Sequence, residues 1–171
     1  MLRVTKFIFS LILFFIGYQT LMYLSGNEIH IFFRELVAEQ SVGLLKFLGF
    51  DALLGCVGGV TSGINLGRSG ILVVAEGCDG VDLLALFAAF AIAFPGPWKH
   101  KFWYVPLGLL LVHAFNILRV AALTILADYN IEVMKWNHKY TFIILVYSFV
   151  FVLWFYWIKK FAVPHAKRKM A

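Results

Sequence analysis

The chain has 171 residues, of which 62% are hydrophobic and 18% aromatic, with only 14% charged. So much apolar sequence excludes an ordinary soluble domain, and it falls in long runs that are nearly free of charge. The net charge of +6 does not point to nucleic acid, because the cations cluster beside those runs, where anchoring and attraction to anionic lipid account for them.

Four runs, Phe7–Leu24, Val81–Trp98, Phe102–Ala127 and Tyr140–Ile158, approach or exceed the roughly 18 to 20 residues that cross a bilayer as a helix. They predict an all-α polytopic membrane protein, one integral domain over residues 1–171. Its elements would be about four transmembrane helices (7–24, 79–98, 102–127, 140–158), an external segment (25–77) and a basic cytoplasmic tail (159–171). Orientation follows from the basic residues. Arg3 and Lys6, Lys99 and Lys101, and Lys159, Lys160, Lys167, Arg168 and Lys169 mark one side as cytoplasmic. The acids Glu28, Glu35, Glu39, Asp51, Glu76, Asp79, Asp82, Asp128 and Glu132 fall on the other side or at its boundary. Both termini are then inside. The first run has no A-x-A-like cleavage site and reads as a retained anchor rather than a signal peptide.

The external segment has two parts. Ile31–Phe50 carries apolar residues near helical spacing (Phe32, Phe33, Leu36, Val37, Leu44, Leu45, Phe47, Leu48), which predicts an amphipathic helix, either on the outer leaflet or packed on its own bundle. Gly55–Val74 is rich in Gly and β-branched residues, with turn signals at Gly58-Gly59 and Asn65–Gly70. It predicts a small β-hairpin ending in Ile71–Val74, serving as a lid over helix ends or as an edge for an extended peptide.

That hairpin leads into Glu76-Gly77-Cys78-Asp79-Gly80-Val81-Asp82 at the head of the second span. A thiol is a strong nucleophile only as thiolate, and near its free pKa only about 3% is ionised at neutral pH. The first turn of a helix favours the negative sulfur, whereas Asp79 and Asp82 disfavour it. If Cys78 is a nucleophile, positive charge must come from elsewhere in the chain.

The second span ends at Pro95-Gly96-Pro97-Trp98, and Trp98–Trp103 predicts a short cytoplasmic hairpin in which His100 is solvated. Pro106 would sit in the first turn or so of the third span. That span contains His113, Asn116 and Arg119, three residues apart and on one broad helix face. An intramembrane Arg costs about 2.5 to 3.5 kcal/mol on insertion scales, which makes Arg119 a functional-site candidate. Asn116 is placed to fix its orientation. The loop Asp128–Lys139 ends in Trp136-Asn137-His138-Lys139, so His138 would open the fourth span at the same face as Cys78. His165, in the tail, needs no special role. No phosphate-binding loop or metal-finger spacing is present, and neither cofactor nor metal is expected.

Topology thus brings Cys78, Arg119 and His138 to one depth. As a set they predict a cysteine acyl-transfer site. Cys78 attacks a carbonyl to form a thioester, and His138 moves the proton. Arg119 supplies positive charge to the thiolate or holds the oxyanion. The competing reading is a non-enzymatic assembly or scaffold protein in which Arg119 pairs with Asp82. A Cys56–Cys78 disulfide, allowed outside the cell, would also remove the nucleophile. A small transporter with His113, Asn116 and Arg119 along its pathway is the third reading.

Gly77-Cys78-Asp79-Gly80 at the head of one span, Asn116-Ile117-Leu118-Arg119-Val120 in the next and His138 at the head of the last resemble the exosortase/archaeosortase family, in its short bacterial branch. The resemblance covers about Glu76 to Tyr156. It implies a membrane cysteine protease or transpeptidase in the bacterial plasma (inner) membrane, with its active site at the external, periplasmic face. The implied substrates are secreted proteins with a C-terminal sorting signal, made of a short motif, a hydrophobic helix and a basic tail. Cleavage would be followed by transfer to an acceptor, a lipid or a polysaccharide. Residue by residue it implies Cys78 as nucleophile, Arg119 as electrostatic partner and His138 as acid/base. Asp79 departs from the family pattern, in which the residue after the Cys is small and neutral or an amide.

Overall fold

The computed structural model describes residues 2–67 and 70–163. Arg68 and Ser69 of the expected turn, and His165, Lys167, Arg168 and Lys169 of the tail, lie outside the described residues. The elements are α1 (Leu2–Ser25), α2 (Glu28–Phe47), β1 (Leu53–Val57), β2 (Val60–Asn65), β3 (Ile71–Val73), α3 (Val81–Ala93), α4 (Trp98–Tyr129), α5 (Ile131–Trp136) and α6 (Phe142–Trp157). A π-helical turn, Asn137–Thr141, joins α5 to α6, and another, Ile158–Ala162, follows α6.

Among the described residues three helical stretches are long and apolar enough to cross a membrane: Val4–Ser25, Trp98–Tyr129 and Ile131–Ala162. The fold is that of an all-α polytopic membrane protein with a small sheet. The second expected span differs from the rest. Its helix α3 has 13 residues, about 20 Å at the usual rise, against roughly 30 Å of hydrocarbon. Residues 76–80 are spent on a turn, and Pro95 and Pro97 stop the helix at the other end by removing N–H donors.

Two further boundaries moved outward. Helix α4 begins at Trp98, so the expected cytoplasmic hairpin is helical and Pro106 lies in the third turn of a helix rather than in its first. Residues 131–139, expected as loop, are helical as well, because Asn130 is a side-chain N-cap. Its Oδ1 accepts from the N–H groups of Glu132 (2.9 Å) and Val133 (3.3 Å).

Contacts divide the chain into two compact units. The first comprises residues 1–26, 82–112 and 148–171. Aromatic rings fill it. Phe90 stacks on Trp154 at 4.3 Å, Phe7 meets Phe90 and Phe94 edge-on, and Tyr104 lies 5.0 Å from Trp157. The Tyr104 hydroxyl donates to the Leu153 carbonyl at 2.7 Å, which satisfies its polar end. Phe87, fully buried, occupies the space left by Gly108. Lys101, expected as a loop cation, is buried, and its Nζ donates to the Ile92 carbonyl in the last turn of α3, where a cation suits the helix dipole. His100 is not fully solvated either; its ring packs 4.8 Å from that of Phe161.

The second unit, residues 27–81 and 113–147, carries the sheet. The expected hairpin is a three-stranded antiparallel meander, β1-β2-β3. Gly58 and Gly59, at φ 61° and 82°, make the two-residue turn between β1 and β2, a conformation that suits the twist of paired strands. After β2 the Asn65 side chain accepts the Gly67 N–H at 2.6 Å and starts the second turn. Helix α2 buries Val37, Ala38, Ser41, Val42 and Leu45. Those apolar side chains form one core with Ala52, Ile64, Val74, Val120 and Ala121. Of the two settings expected for the amphipathic helix, the packed one is seen. Phe32, Phe47 and Leu48 remain exposed.

Candidate active site

The site lies in the second unit and is built around one turn. The Val74 N–H still pairs with the Ser62 carbonyl at 2.9 Å, and the chain then folds so that the Cys78 N–H reaches the Ala75 carbonyl at 3.0 Å. Asp79 Oδ1 accepts the Val81 N–H at 3.1 Å, satisfying one of the orphan donors at the start of α3. The other oxygen, Oδ2, lies 2.6 Å from His30 Nδ1 on α2, and the Asp79 side chain is fully buried. Asp79 is therefore both a helix cap and half of a buried pair. Sequence reasoning missed His30: it lies 49 residues away in an amphipathic helix, and no motif marks it.

Asn116 and Arg119 approach the same turn from α4. Asn116 Nδ2 donates to the Cys78 carbonyl oxygen at 2.9 Å. Asn116 was expected to orient Arg119; its side chain holds the backbone of Cys78 instead. Gly80 makes that approach possible, since a Cβ there would lie 2.9 Å from Asn116 Nδ2 and φ is +81°. Arg119 is buried, with Nη2 3.8 Å from Cys78 Sγ and no hydrogen-bond partner for Nε. His113, the third member of the expected cluster, pairs with Gln40 Oε1 at 2.7 Å.

His138 completes the group. Its Nε2 is 2.9 Å from Cys78 Sγ. It does not head a helix, as expected, but sits in the π turn after α5. Such turns are rare insertions in an α-helix and frequently accompany functional sites. The remaining candidate, Asp82, accepts a hydrogen bond from the Tyr18 hydroxyl within the first unit. Asp82 and Arg119, paired in the scaffold reading, belong to separate units, with the tyrosine hydroxyl beside the one and the thiol sulfur beside the other. Cys56 and Cys78 are both free, so the disulfide is not formed.

Cys78 and His138 open onto a cavity of about 290 Å³. One wall is the run Leu72–Ala75; Val120 and Leu123 of α4, with Met134 and Lys135 of α5, form the others. Burial pushes the Cys78 thiol above the ordinary thiol range, against the pull of the Arg119 guanidinium, and the Asp79 carboxylate adds to the rise. Attack by this sulfur would require its proton to leave. His138 Nε2, unprotonated in one tautomer, is within reach to take it. No group of three or more His, Cys, Asp or Glu among the described residues could hold a metal ion.

The model of the family described as Transmembrane exosortase (Exosortase_EpsH) matches residues 1–156. The chain belongs to the transmembrane exosortase family. No described relative and no solved structure matches it. The match extends well upstream of the region from Glu76 onward that carries the motifs, and takes in α2 and the sheet, which hold the exosortase's Cys78 turn.

Proposed function

We propose that this exosortase is a membrane cysteine protease or transpeptidase acting on exported, membrane-tethered proteins that end in a sorting signal of motif, hydrophobic helix and basic tail. The observation that carries the reading is the Cys78 sulfur set between His138 Nε2 at 2.9 Å and the Arg119 guanidinium at 3.8 Å, at the wall of a cavity. Family membership supports the same class of reaction.

In the proposed cycle the thiol proton passes to His138 Nε2 while Sγ forms a bond to the carbonyl carbon of the scissile amide. Negative charge gathers on the former carbonyl oxygen, and Arg119 is the cation closest at hand to stabilise it or the sulfur. The C–N bond then breaks. Imidazolium His138 returns the proton to the departing amine, leaving an acyl thioester on Cys78. Water, or a hydroxyl or amine of a lipid or polysaccharide acceptor, attacks that thioester and releases the thiol. The arrangement of basic residues supports an external, periplasmic site, with both termini in the cytoplasm of a bacterial inner membrane.

The test is processing in cells of a secreted protein from the same genome that ends in such a signal. Cys78→Ala and Cys78→Ser should leave it full length in the membrane. Normal processing by Cys78→Ala overturns the proposal.

A further inference from the structure

Strand β3 is the outer strand of the meander, and among the described residues no other strand pairs with it. In its antiparallel register Ile71, Leu72 and Val73 oppose Asn65, Ile64 and Gly63. The Val74 N–H donates to the Ser62 carbonyl, and hydrogen-bonded pairs alternate along such a ladder. Leu72 and Val74 therefore turn their N–H and C=O groups toward β2, while those of Ile71 and Val73 point to the open edge. The cavity beside Cys78 is lined by four consecutive residues, Leu72 to Ala75. Leu72 and Val73 are the two that belong to β3; a sheet face would contribute only alternate residues, so two neighbours together are what an edge contributes. Opposite that edge, the cavity reaches Met134 and Lys135 of α5, and Cys78 and His138 open onto it.

We infer that the free edge of β3 binds the substrate polypeptide as an added strand, with the Val73 N–H and C=O pairing to the extended segment that enters the cavity and carries the scissile carbonyl to Cys78. The occupant is a polypeptide in β conformation because the open edge offers a donor and an acceptor on alternate residues, and the strand runs directly into the nucleophile's turn. Main-chain pairing of this kind gives affinity with little demand on side chains, which are read by whatever pockets they meet. Ile71 is held firmly for this task. Its side chain lies over Gly63 and Gly55, where any Cβ would come within 2.5 and 3.1 Å of it, so β3 cannot slip in register without losing that fit.

The inference rests on Cys78 being the nucleophile, and the two can be tested apart. The probes are chloroacetone and an acetylated Val-Thr-Val-Ala chloromethyl ketone, which carry the same electrophile, each followed by mass spectrometry of Cys78 in the full-length protein in detergent. The peptide should modify Cys78 at least about tenfold faster than chloroacetone, the gain that two main-chain hydrogen bonds give. Methylating the peptide's amide nitrogens one at a time should abolish the gain at the one position that donates to the Val73 carbonyl and leave it at the others. Val73→Pro removes the outward N–H while keeping the ladder to β2, and should abolish the gain without changing the chloroacetone rate. Equal loss at all positions, no loss at any, or an undiminished gain in Val73→Pro overturns the edge-pairing inference while leaving Cys78 as nucleophile. A Cys78 inert to both probes overturns the proposed function and this inference with it. The methylation series uses the wild-type protein, so it decides even if Val73→Pro does not fold.

Discussion

His30 Nδ1 and Asp79 Oδ2 lie 2.6 Å apart across 49 residues of sequence, and the carboxylate between them and α3 is fully buried. The carboxylate next to the Cys78 thiol thereby has a structural partner. Asp79 raises the Cys78 pKa, yet it also caps α3 and ties that helix start to α2.

Removing one member of this pair should be costly. His30→Ala leaves a buried carboxylate without its partner and is expected to destabilise the protein by about 3 kcal/mol. The same substitution in an Asp79→Asn background should cost much less. Thermal unfolding of the four proteins in detergent measures the difference, and equal costs in both backgrounds would show that the pair is not coupled.

Gly77 and Gly80 separate backbone strain from collision. Both have φ of +81°, but only at Gly80 does an added Cβ meet a neighbour, Asn116 Nδ2 at 2.9 Å. Gly77→Ala should cost about 1 to 2 kcal/mol of stability and retain most processing. Gly80→Ala carries the same strain and also pushes Asn116 from the Cys78 carbonyl, so processing should fall about a hundredfold or more. Similar activities in the two variants would remove Asn116 from the account.

The pH dependence of Cys78 follows from burial. With the thiol pKa raised by burial above the ordinary value, the alkylation rate of Cys78 should keep rising well past pH 8.5. Arg119 lowers this pKa, so Arg119→Met should move the midpoint further up. Asp79 raises it, so Asp79→Asn should move it down. Iodoacetamide labelling across pH 6 to about 10.5 reads all three, within the ordinary titration span of thiols. A midpoint below 8 in the wild type would mean a preformed thiolate and a different role for His138.

Arg119→Lys keeps the charge but replaces a planar fork by a point charge on a flexible stem. Processing should drop by about a hundredfold, the loss typical of a displaced oxyanion or thiolate partner. Near-normal turnover would show that charge alone is needed at this position.

Much of the site was legible because its chemistry is unusual for its surroundings. A thiol among carboxylates before an apolar run, an arginine inside one and a histidine before another each cost free energy in a membrane and stand out by composition alone. All three meet at one sulfur. Other features left no mark in any local window. Asn130 turned an expected loop into helix through one side-chain cap, which set His138 in a π turn. Two prolines shortened the second span. His30, Asn116 and Tyr18 acquired partners 49, 38 and 64 residues away.

The membrane class was determined by the sequence itself, and so was the choice of Cys78, Arg119 and His138 as candidates, since hydropathy and the cost of burying charge are properties of residue types. Which groups pair was decided only by the tertiary structure. A hydrogen bond needs two atoms within about 3 Å, and that distance depends on how α2, the sheet and α4 pack around one core. The same packing leaves one edge of the sheet open beside the thiol.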